Sequence, residues 1–276
     1  MSSQSAPALT GLRYLVLALL LTMPVWATLT RPGLPASQAG PLPVLELQAA
    51  EQGETAFLAD VGDGWRGDGP LHFWLARGLR ITGVDALTAL KGSALLAILL
   101  LSVGVWWWAS AVVGKRAGVL AAVLVVFAPV FLSALFRSGD WALLWTMAGL
   151  AWAGLGLALA SRWGLALAAA GAFAATAAYP GLGMWALAGL LLLAGGRRHW
   201  RGVIALLVGA LAGLVVSTPW ALPSSPASGG DGILLHQLVE PGWLWGISTL
   251  SLDTPLSFSL GFALLALLIL AIWAYF

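Results

Sequence analysis

The chain alternates long apolar runs with short polar turns, and that pattern sets its architecture before any single residue is considered. Continuous apolar stretches occupy residues of about 12–28, 90–112, 117–136, 140–160, 163–179, 181–195, 202–222 and 256–275. Most approach the roughly 20 residues that a helix needs to cross a bilayer's hydrocarbon core. The pattern predicts an all-α polytopic membrane protein with about eight transmembrane helices in a single transmembrane domain, residues 1–276. An N-terminal tail and first span fill residues 1–30, a large extracytoplasmic loop 31–90, and spans two to seven 91–222. A second extracytoplasmic loop covers 223–255, and the last span 256–276. The runs flanking Pro180-Gly181 also fit one helix broken at the proline.

The first run, Leu12 to Thr28, has the look of a secretory signal. Its length, and the lack of a small-residue cleavage site close behind it, predict a retained anchor instead. Within the first loop, Val44–Ala59 and Pro70–Ile81 read as short helices lying at the membrane surface, the second with Leu71, Phe73, Trp74 and Leu75 dipping into lipid. Gly62, Gly64, Gly67 and Gly69 punctuate the chain between them. The last loop opens with PSSPASGGDG and continues into a short helix, Ile233–Glu240.

Composition supports the membrane reading. With 60% apolar residues, 9% charged residues and a mean hydropathy of +0.93, the chain lies outside the range of soluble domains. The absence of cysteine excludes disulfides and thiolate metal sites. A net charge of +2 gives no reason to expect a nucleic-acid partner, and no metal or cofactor is implied.

The placement of charge says more than its sum. With the N-terminus in the cytoplasm, Arg13, Lys115, Arg116, Arg162, Arg197, Arg198 and Arg201 fall inside and all eleven carboxylates outside. The basic turns obey the positive-inside rule. The expected location is the bacterial cytoplasmic (inner) membrane, with the acidic loops on its outer face. Seven of those carboxylates, Glu46, Glu51, Glu54, Asp60, Asp63, Asp68 and Asp85, lie in the first loop, which makes it the place for chemistry. The Trp106-Trp107-Trp108 run, near the inner end of the second span, reads as an interfacial anchor.

Four segments in order give the chain a familiar look: PVLELQAAEQGE with GDGPLHFWLARGLRITGV in the first loop, RSGDWALLWTMAGLAW at residues 137–152, AAYPGLGMWALAGLLLL, and VVSTPWAL at 215–222. Together they resemble the C-type glycosyltransferases, which take sugars from polyprenyl-phosphate donors, and within them the protein mannosyltransferase and aminoarabinose transferase branch. The resemblance implies one span followed by a large external loop, an acidic pair at the loop's start, an Asp opening the fourth span, and a Leu-Pro-Trp signature near the seventh. Asp140 stands at the place of that Asp. The family's acidic pair appears as Leu45-Glu46, its loop lysine as Asp68, and the lysine of its Thr-Lys-Gly segment as Tyr179 or Pro180. Family members usually continue with further spans beyond the point where AIWAYF stands here.

The resemblance implies a catalytic pair, Glu46 as the base that takes a proton from the acceptor and Asp140 supporting it. Asp68, His72, Arg66, Arg137, His236 and Glu240 are the candidate substrate-binding residues. A departing lipid phosphate needs cations, and Arg31, Arg66, Arg77, Arg80, Lys91 and Arg137 are the outer ones available. Each residue also has a plainer reading. Glu46 fits a solvated helix face, Asp140 a helix N-cap, His72 an interfacial anchor, and Arg77 and Arg80 cations reaching for headgroups. His236 and Glu240 sit at i and i+4, yet two residues make at most half a metal site.

Two functional classes follow. One is a transferase moving a sugar from a polyprenyl-phosphate donor to an acceptor on the extracytoplasmic face. The other is a non-catalytic subunit that keeps the fold and binds protein partners in a larger membrane complex. In both, membrane lipid is the solvent. A transporter ranks last, since Asp, Glu, Lys and Arg are absent from the span centres.

Overall fold

A computed structural model describes residues 6–33, 44–45, 47–48, 51, 69–159, 161–196 and 199–217, with side-chain environments given from residue 11 onward and not at Arg137 or Ser138. Every element among the described residues is helical. They are α1 (Ala6–Trp26) with a 3-10 turn, Ala27–Thr30, then α2 (Leu71–Arg80), α3 (Ala86–Val112) and α4 (Lys115–Val126). After these come α5 (Pro129–Leu132) running into a π turn, Ser133–Ser138, and then α6 (Trp141–Leu159), α7 (Arg162–Ala178), α8 (Pro180–Gly196) and α9 (Trp200–Ser217).

By length and composition, Gly11–Thr30, Ala86–Val112, Trp141–Leu159 and Trp200–Ser217 can each cross a membrane. The pair Lys115–Val126 and Pro129–Phe136, bent by 46°, makes a fifth if it acts as one span. Pro180–Gly196 is a shorter apolar helix. The third apolar run is therefore not one straight rod. Pro129 cannot donate the amide that would continue α4, so the helix ends and restarts at an altered angle. The break at Pro180 is likewise real. Tyr179 is extended, with φ −148° and ψ 90°, and α8 begins with the proline in its first position. The run at 256–275 and the helix at 233–240 lie outside the described residues.

In lipid no hydrophobic force drives helices together, so close packing and interhelical hydrogen bonds must do so. The α6–α7–α9 core follows that rule. Gly149 lies so close to α7 that a Cβ there would sit 2.6 Å from both Ala175 N and Gly171 O. Gly156 and Gly171 meet the facing backbone as tightly, and Gly209 presses on Ala169. Threonine hydroxyls cross the same seams, Thr146 donating to Ala175 O (3.3 Å) and Thr176 to Ala210 O (3.2 Å). Ser217 donates to Thr176 O (3.4 Å). On the other side of α6, the Trp152 Nε1–H donates to Leu100 O in α3 (3.0 Å).

The bundle has two chemically different ends. Helices α3, α6 and α8 begin at one end, where α1, α7 and α9 finish, and the three described carboxylates, Glu51, Asp85 and Asp140, all lie there. At the opposite end sit Arg13, Lys115, Arg116, Arg162 and Arg201, with Trp163 and Trp200 exposed beside them. Charge segregates along the bundle as the apolar runs imply, within the described residues. The tryptophan run at 106–108 packs more than it anchors. Trp108 covers Gly154 of α6, Trp106 lies against Gly118 of α4, and Trp107 meets Trp152 edge-on at 6.2 Å.

The tight seams predict a graded response to added bulk. Gly171→Val, which drives a side chain into the Ala153 and Gly149 backbone, should destabilise by about 1–3 kcal/mol. Gly189→Val, at a site with open space around it, should leave the thermal unfolding midpoint in detergent unchanged.

Candidate functional site

The carboxylate-bearing end is capped by α2. The first loop returns there with Gly69 and Pro70 buried against the end of α7. The Gly69 amide donates to Ala178 O (2.6 Å), and a Cβ at Gly69 would overlap the Ala177 carbonyl. Only glycine fits this approach. α2 then lies across the ends of α3, α6 and α7.

Its faces differ from the sequence expectation. Leu71 and Phe73 do not dip into lipid: they are buried in the protein core with Val25, Leu29, Leu47, Leu90, Trp141 and Trp145. Trp74 and Ile81 are the exposed apolar residues, Ile81 at 87%. Amphipathicity shows that a helix has an apolar face, and says nothing of whether protein or lipid covers it. The described residues at 44–51 are helical and join the same cover. Leu47 is buried, and Glu51 Oε1 pairs with Arg80 Nε at 2.8 Å.

A buried polar relay holds α2 down. The Trp145 indole N–H donates to Ser93 Oγ (3.1 Å), and the Ser93 hydroxyl donates to the His72 carbonyl (3.2 Å), linking α6, α3 and α2. His72 itself is 3% exposed, its ring 3.9 Å from that of Phe73, and its Nδ1 has no hydrogen-bond partner. Burial pulls its pKa down from 6.5 to about 4, and the Gly69 carbonyl opposes the shift without completing a bond to Nδ1. His72 is thus no surface anchor.

Asp140 opens α6 as an N-cap, its Oδ1 accepting the Leu143 amide (2.9 Å). The preceding π turn ends at Gly139, whose φ of 67° brings the chain round so that the Asp140 amide reaches Ala134 O (2.9 Å). Asp85 caps α3 in the same way, accepting the Thr88 amide (3.0 Å) and hydroxyl (2.6 Å), which hold its carboxyl below the usual range. Lys91, one of the cations available for phosphate, is buried and engaged. Its ammonium donates to the carbonyls of Arg31 and Gly33 (3.0 Å to the latter), closing the end of α1 onto α3.

Of the sequence candidates, the structure brings His72 and Asp140 to the same end of the bundle. Glu46, Arg66, Asp68, His236 and Glu240 lie outside the described residues, as does the Arg137 side chain. Among the described residues no group of three His, Asp or Glu side chains is placed to hold a metal. Gly69 was legible only as loop punctuation, and Ser93 and Trp145, which with it fix the cover, were not singled out from sequence. The available signal was Ser93, a hydroxyl in an apolar run. No protein-family model, curated protein or solved structure matches this chain.

The capping role of Asp140 separates from any chemical one by substitution. Asp140→Ala should lower stability by about 1 kcal/mol or more, and Asp140→Asn, which keeps an acceptor for the Leu143 amide, should lower the unfolding midpoint less.

Proposed function

We propose that the chain is a glycosyltransferase-like membrane protein that acts where the first loop meets the bundle, moving a sugar from a polyprenyl-phosphate donor to an acceptor. The observation that supports this reading is the cover itself. The loop rich in carboxylates returns to the bundle at the end where Asp140 opens α6, beneath a helix held by buried hydrogen bonds. In this reading the chain carries eight spans arranged as in the C-type fold, the N-terminus is cytoplasmic, and the loop faces outward from a bacterial inner membrane. Glu46 takes the acceptor's proton, Asp140 supports it, and Asp68, Arg66, Arg137, His236 and Glu240 serve donor or acceptor.

The second reading, a scaffold subunit with protein partners, has its own support. Lys91 is tied to backbone carbonyls and Arg80 to Glu51, so two of the cations suited to a departing phosphate are already engaged. Arg31 and Arg77 are exposed.

Gentle detergent purification followed by mass spectrometry of bound lipids and proteins, and a transfer assay with polyprenyl-phosphate-linked sugar, distinguishes the two. A transferase retains the lipid and releases sugar to an acceptor, Glu46→Gln abolishes turnover, and Asp140→Asn lowers it at least about 100-fold without unfolding the chain. Stoichiometric recovery in a defined complex, with no donor lipid and no transfer, establishes the scaffold.

A further inference from the structure

The cover is fastened at one end and turned at the other. At the α7 end, the Gly69 amide reaches Ala178 O and the His72 carbonyl receives the Ser93 hydroxyl. At the far end, α2 passes through a tight turn in which Thr82 N donates to Leu79 O (3.0 Å) and Gly83 N to Arg80 O (2.9 Å). Gly83 has a φ of 89° and open space around it, and two residues later Asp85 caps α3. The turn has the form of a pivot, and Gly69–His72 that of a clasp.

One group in the clasp is chemically costly. The His72 ring is enclosed, tilted at 38° against that of Phe73, with no hydrogen-bond partner at Nδ1. A neutral ring tolerates that position, but a protonated ring brings a charge into a site closed to water, where the Gly69 carbonyl offsets only part of the cost and Nδ1 has no completed hydrogen bond. Most of the charged and titratable groups on the packed elements make bonds of their own. On α3, Asp85 bonds Thr88 and Lys91 bonds two carbonyls. On α6, Asp140 caps Leu143, and beyond α2 Glu51 pairs with Arg80. Tyr179 follows α7, and Arg77 lies exposed on α2 itself. Among the described residues no carboxylate forms an ion pair with the His72 ring.

We propose that α2 is a proton-operated cover: protonation of His72 opens the Gly69–His72 clasp, and α2 swings about the Thr82–Gly83 turn to expose Ser93, Trp145 and the ends of α3, α6 and α7. The device does not rest on the transferase reading, since it needs only the clasp, the pivot and the buried ring. Its sign follows from linkage. The closed state binds protons more weakly than the open one, so closure is fully favoured above pH 6.5 and is lost as pH falls toward 4. Between pH 7.5 and 5, the open-to-closed ratio rises roughly 30-fold.

The chain has no cysteine, so single introduced thiols report cleanly. Ala76→Cys places one on the buried face of α2, where Ala76 is 0% exposed, and Thr82→Cys places one at the exposed turn. The full chain in lipid nanodiscs is labelled with 4,4′-dithiodipyridine at pH 7.5 and pH 5, and the buried rate is divided by the exposed rate. The ratio should rise at least about tenfold at pH 5 and stay flat in His72→Gln, or in His72→Phe if the glutamine variant does not fold. Ser93→Ala, which removes one strand of the clasp, should raise the ratio at both pH values and keep its pH dependence. A flat ratio with His72 present, or an equal rise with His72 replaced, overturns the proposal.

Discussion

One short relay, from the Trp145 indole through the Ser93 hydroxyl to the His72 carbonyl, decides where the only described polar cover of this protein sits. In an environment without water, a buried N–H or hydroxyl has to find a partner inside the protein, and each such pair is worth about 0.6–2 kcal/mol. Removing Ser93's oxygen leaves the indole proton and one carbonyl lone pair unmet in the same place. The relay therefore fixes α2 by direction as well as by energy, and Leu71, Phe73 and Ala76 complete the contact through shape.

What α2 rests on is equally dependent on small groups. The ends of α3, α6 and α7 form a surface because α6 and α7 approach almost backbone to backbone at Gly149, Gly156 and Gly171, and α9 closes on α7 at Gly209. That proximity lets threonine hydroxyls, which normally bond their own helix, reach the neighbouring one as well. The same economy governs charge. Two of the three described carboxylates at the covered end cap helices, and five of the described cations lie at the other end beside exposed tryptophans. Both arrangements keep the apolar middle free of ionised groups.

The apolar runs made the helical architecture legible, because the length of a run is a direct consequence of bilayer thickness. Run boundaries came within a few residues for most of the helices described, and Pro180 marked a break, whereas the bend at Pro129 lay inside a run expected to be continuous. Partner choice was not legible. Hydropathy cannot tell a residue facing lipid from one facing protein, which is why Leu71 and Phe73 were expected in the membrane and Trp108 at its surface. Nor does charge type reveal its use: Lys91 looked free for phosphate and instead closes α1 onto α3. Asp140 was readable as a cap from its position before an apolar run, and the structure places it so. Glu46 and the other loop candidates rest on sequence alone.

Amide hydrogen exchange on the full chain in nanodiscs at neutral pH tests the central claim, that α2 is a docked part of the bundle. The account predicts that amides of Phe73–Arg80 exchange as slowly as those in the first turns of α3 and α6. Exchange at the rate of an isolated surface helix, with Trp145 and Ser93 still protected, would contradict it.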